Sequence, residues 1–145
     1  MLVEKPIHPD FIHYLKDKEQ ALIELYTGLR NFVWSQYPEA NELLYQTHAL
    51  TSVFTLSEKL SDGFCHIPIY TEHLNLGFNK GSLLNDSNNL LEGTGKWIRH
   101  IPVRNEADYR REGVKELVQA AIALAQEDLS KPGKKQGQSI SKIKR

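Results

Sequence analysis

The residues of this chain with chemistry to offer are six histidines, one cysteine and a glycine-rich run that ends in lysine. His66 and His73 lie in neighbouring segments, FCHIPIY and HLNLGFN, separated by Thr71-Glu72. A reversal confined to those two residues pairs Tyr70 with His73, Pro68 with Asn75 and His66 with Gly77. Strand alternation then gathers His66, Pro68, Tyr70, His73, Asn75 and Asn79 on one face and Cys65, Ile67, Ile69, Leu74, Leu76 and Phe78 on the other. The apolar set reads as core. The polar and aromatic set reads as an open face, and His66, Tyr70, His73 and Asn75 are its candidate ligand contacts. Zinc or iron takes three or four converging donors. Two imidazoles, with Glu72 in the turn between them, fall short of that number, so a metal site is left open and not assigned.

A second group is basic. Lys80, Lys96, Arg99 and His100 stand near the two ends of a long loop and the strand that follows it. Gly93-Thr94-Gly95-Lys96 is similar to a phosphate loop, yet a Walker loop needs a glycine where Leu90 stands and a Ser or Thr where Trp97 stands. The glycines suit a left-handed turn into the strand. What remains is a candidate anion site, with backbone amides at the turn and the planar fork of Arg99 as donors. Trp97 either flanks a small pocket with Tyr70 or caps the edge of the core. Ser82, Ser87 and Thr94 lie in the loop before His100, but no carboxylate at a recognisable spacing orients that histidine, so no catalytic residue is assigned.

The elements that must position these groups follow from periodicity. His8-Pro9-Asp10 opens a short helix carrying Phe11, Tyr14 and Leu15 on one side. Asp17 with Gln20 resembles a capping box for a longer helix, with Ala21, Leu22, Leu25, Leu29, Phe32 and Val33 as its apolar stripe and Pro38 beyond its end. Residues 42–47, 50–57, 64–70, 73–79 and 97–104 read as strands. Two leucine pairs, Leu83-Leu84 and Leu90-Leu91, tie down the loop between the last two. Asn105 with Asp108 marks a helix start, and Val114, Leu117, Val118, Ala121, Ile122 and Ala125 carry that helix to about Leu129. Helices, then strands, then a helix describe an α+β domain: an antiparallel sheet of about five strands with the N-terminal and C-terminal helices on one face.

Composition sets the frame. At 145 residues, 40% apolar and 25% charged, the chain suits one soluble domain with a real core. No apolar run approaches the roughly 20 residues that span a bilayer, and MLVEKPIHPD lacks the pattern of a signal peptide, so no membrane partner and a cytoplasmic location are expected. Lone Cys65 reads as a small buried hydrophobe. The net charge of zero hides an asymmetry: residues 131–145 hold six of the eighteen basic residues and no acid, which leaves 12 basic against 18 acidic before them. The domain is therefore expected over 1–129, with 130–145 as a basic, disordered tail. That tail is the only feature that could attract nucleic acid, which is not an expected partner.

The segment LNLGF-KG, the loop LLEGTGKWIRHIPV and the helix after it resemble the YdhG-like family of domains of unknown function. FIHYL, the helix before a proline and ANELLY follow the same order, so the resemblance covers roughly residues 8 to 127. It implies helices packed on one face of an antiparallel sheet. Some members of that family are implicated as frataxin-like iron chaperones, which makes iron the one cofactor the resemblance implies. Asp17, Glu19 and Glu24, interleaved with Lys16 and Lys18, are a thin match to the acidic ridge such a site needs. The readings left standing are a binding protein for a metal ion or small anionic ligand, or a homodimeric adaptor without catalysis.

Overall fold

His8 caps the first helix, α1 (Pro9–Leu15): its Nδ1 accepts the Asp10 amide at 3.0 Å. The computed structural model describes residues 5–144. The first four residues of the expected 1–129 domain, and Arg145 of the expected tail, lie outside the described residues. Helix α2 (Gln20–Ser35) starts one residue after Glu19, which makes no side-chain cap, so the expected Asp17 capping box does not form. Strands β1 (Asn41–Gln46), β2 (Leu50–Thr55), β3 (Gly63–Ile69), β4 (Leu74–Phe78) and β5 (Arg99–Val103) follow, then α3 (Glu112–Asp128) and β6 (Ser139–Ser141). Asn105 and Asp108 do form a capping box, but around a single tight turn at 106–108; α3 begins only at Glu112.

The sheet order is β5-β4-β3-β2-β1-β6. Neighbours pair antiparallel except β6, which joins β1 in parallel. The fold is α+β as expected, with one strand more than the sequence suggested. The helices share one face. Phe11, Tyr26, Leu29 and Val33 from α1 and α2, and Val114, Leu117, Val118 and Ile122 from α3, join Leu44, Phe54, Cys65, Ile67, Leu76 and Ile101 in one buried cluster. A bulge opposite Phe54 and Thr55 makes Phe64 an extra residue on β3. Both Phe64 and Cys65 thereby belong to that core.

The tail corrects the sequence reading. Residues 139–141 are not disordered; they form the edge strand beside β1. Glu58 accepts the Lys134 and Lys135 amides at 3.0 Å, Asn41 bonds the Lys135 carbonyl at 2.8 Å and the Gln138 amide at 2.9 Å, and Glu42 takes the Ser139 hydroxyl at 2.9 Å. Glu42 also holds Arg30 of α2, Nε to Oε2 at 2.8 Å, with both side chains 1% exposed. Arg30 spends its other donors on the Lys5 and Pro6 carbonyls. Burial works against the Arg30 charge, and the hydrogen bonds and charge of Glu42 more than offset it, leaving the guanidinium pKa above its ordinary value. One buried ion pair thus ties α2, β1, the N-terminal segment and β6 together. At the far edge of the sheet, Glu92 and His100 exchange both backbone hydrogen bonds, so β5 does not end the sheet bare.

Candidate functional site

The face of the sheet away from the helices is where the sequence placed its ligand contacts, and the hairpin register agrees. His66 stands opposite Gly77 and Ile69 opposite Leu74, while the Tyr70 amide donates to the His73 carbonyl at 2.9 Å across the tight reversal at Thr71-Glu72. His66, Tyr70, His73 and Asn75 therefore share a face. They do not share a site. His73 stacks on Tyr70 at the hairpin end, ring centroids 5.0 Å apart and 27° between planes. His66 lies four residues back along the strand from Tyr70, roughly 13 Å.

The true neighbour of His66 is His100. Gly77 pairs with His66 on one side and with His100 of β5 on the other. Gly77 has no side chain, and the His66 ring fills that gap so closely that a Cβ there would collide with it. A glycine in mid-strand marks such an approach. Asn79 fixes the ring, its Oδ1 at 2.8 Å from His66 Nδ1. Burial lowers the His66 pKa and a charge on His100 lowers it further, while the Asn79 hydrogen bond works in the opposite sense. Asn75 pairs with Pro102 of β5, and its Oδ1 is buried with no hydrogen-bond partner.

The basic rim does not assemble on this face. Arg99 falls on the same side as Ile101 and Val103, toward the helices, because strand residues alternate. Its Nη1 turns back on the loop, bonding the Gly95 and Ile98 carbonyls at 2.6 and 2.8 Å. Lys80 pairs with Asp128 of α3 at 2.7 Å. Lys96 sits over the Trp97 ring, 5.2 Å from its centroid, in a loop whose residues 92–98 are all exposed. Trp97 is 45% exposed and so does not cap the core edge. The four candidate anion contacts are thus dispersed: one inside its own loop, one on a helix, one on an indole, and His100 on the open face.

Among the described residues no group of three or more His, Cys, Asp or Glu side chains is placed to hold a metal ion. The donors around His66 are the His66 and His100 imidazoles and the Asn75 and Asn79 amides, without a carboxylate, which does not fit iron held as a hard cation. Cys65 is fully buried, and burial pushes its thiol far above the ordinary range, so it stays protonated.

What the helix-free face has is an absence of formal charge, although Asn41, Leu43, Val53 and Thr55 on it are buried within the chain itself. Alternation assigns to it Asn41, Leu43 and Tyr45 of β1, Thr51, Val53 and Thr55 of β2, His66 and Pro68 of β3, Asn75 and Gly77 of β4, and His100 and Pro102 of β5. No Lys, Arg, Asp or Glu occurs among them, in a chain where those residues are 25%. The alternation of β1, β2 and β5 carried that signal in the sequence, as did Gly77; reading one hairpin alone missed it. Compared with known proteins, the chain matches no family model, no curated protein and no solved structure.

Proposed function

We propose that this chain is a small non-catalytic binding module that docks through the open face of its sheet, and that the face meets a second copy of itself. Kinship with the YdhG-like domains is part of the proposal and rests on LLEGTGK-IRH and its flanks. The observation that carries the reading is the uncharged, helix-free sheet face, on which Tyr45, Thr51, Pro68, Asn75, His100 and Pro102 stay partly exposed. The centre of a protein interface is depleted of charge and holds aromatic residues. A two-fold contact brings a patch against its own image, so any charge on it would face a like charge; this face has none to repel.

The test is sedimentation velocity on the wild-type chain across protein concentration, alongside Asn75→Arg and Pro102→Lys. Both changes put a charge on the half-exposed face and remove nothing from the core. A wild-type dimer and two folded monomeric variants, with circular dichroism unchanged, are expected. A wild-type chain that stays monomeric at every concentration ends the proposal.

A further inference from the structure

A different surface carries a cluster of exposed apolar side chains. Three of the large apolar side chains that remain exposed, Leu83 at 55%, Trp97 at 45% and Ile98 at 52%, belong to two segments tied to each other. The Ser82 amide donates to the Trp97 carbonyl at 2.9 Å, and the Ser82 hydroxyl to the Lys96 carbonyl at 2.8 Å. Arg99 holds the Gly95 and Ile98 carbonyls from within, and the paired backbone hydrogen bonds of Glu92 and His100 close the base. Exposed apolar side chains on a slack loop would need no explanation. Here the backbone hydrogen bonds fix them outward on a hairpin tip.

We propose that this tip, Leu83, Trp97 and Ile98 with Lys96 beside them, inserts shallowly into an anionic bilayer surface. The residue types are those of a membrane interface: an indole, two branched aliphatics and a lysine whose ammonium stands over the ring. Residues 92–98 are exposed throughout, so the tip suits a soft continuous surface better than a matching groove. Its size argues the same way. Three half-exposed side chains amount to a few hundred Å², the scale of a single surface patch, against ~800 Å² per partner in a stable protein interface. Arg99 is committed to loop carbonyls, so Lys96 is the cation left to face lipid headgroups, while Glu92, the one acid among residues 92–98, is held at the base by its bridge to His100. This inference departs from the expectation of no membrane partner. That expectation rested on the lack of a spanning segment, and no helix is long and apolar enough to span a bilayer; a surface contact needs none.

Trp34 is 1% exposed and Trp97 is 45% exposed, which gives the experiment its reporter. The full chain is titrated with phosphatidylcholine vesicles, with and without about a third phosphatidylserine, while tryptophan emission and cosedimentation are followed. Expected are a blue shift abolished by Trp97→Phe, quenching by brominated acyl chains, and binding about fivefold tighter to the anionic vesicles, the effect of one lysine at the surface. Leu83→Asp with Ile98→Asp should reduce cosedimentation at least tenfold, with circular dichroism unchanged because both side chains face solvent. No cosedimentation with either vesicle, or binding indifferent to that double change, overturns the proposal. So does self-association abolished by Trp97→Ala in the absence of lipid, which would assign the tip to a protein contact.

Discussion

His66 shows how one residue can be read correctly and still be paired wrongly. Its face followed from the two-residue reversal at Thr71-Glu72, which the sequence marks clearly. Its partner did not, because that neighbour, His100, comes from β5 and lies outside the hairpin. Arg99 is the converse case: it shares parity with Ile101 and Val103, so the sequence already held it off the open face. The lowered pKa of His66 gives a direct prediction. An unfolded histidine titrates near 6.5, above the folded value, so below that pH the unfolded chain binds a proton that the native chain refuses. Stability from this group is complete above about pH 6.5 and declines as pH falls through the lowered native pKa. The groups facing the ring are Asn79, His100 and the Gly77 backbone. Urea unfolding between about pH 8 and pH 5 should show that decline, and His66→Gln should flatten it. An identical slope in the variant would remove His66 as the cause.

At the scale of elements, the helices and the first five strands were legible because their signal is apolar periodicity. The loop from Lys80 to Lys96 was legible in part: Leu84, Leu90 and Leu91 pack against the core as expected, while Leu83 turns outward. Asp86 does the rest, accepting the Leu90 and Leu91 amides at 2.8 Å each. Strand β6 was not legible. GKKQGQSIS has almost no apolar content, and what holds it is a backbone ladder with Asn41, Glu42 and Glu58 as polar anchors, a kind of stability that hydropathy does not register. Glu42 is the pivot. Glu42→Gln leaves the Arg30 guanidinium buried without a counter-charge, a loss of about 3–5 kcal/mol. Denaturant unfolding should report it, and hydrogen exchange should show protection falling at 139–141 ahead of the rest of the sheet. Exchange at those residues unchanged from the wild type would show that β6 stands without the ion pair.

Taken whole, the molecule has a helical side that is sealed and a sheet side that is uncharged and free of helices. If two copies meet through the second, the protomer and the dimer differ in buried area, and the thermal midpoint must rise with protein concentration. Differential scanning calorimetry over a hundredfold range of about 1 to 100 μM checks this without any substitution; a constant midpoint speaks against association. The borders of the sheet narrow the choices further. On one side the ladder stops at three residues in a lysine-rich stretch, and on the other the bridge from Glu92 to His100 covers the middle of the edge strand. Short, cationic or covered margins are poor templates for cross-β growth. The architecture therefore discourages the chain from stacking strand to strand into fibrils, so any association of copies that stops at a finite size must use a surface other than the sheet edges.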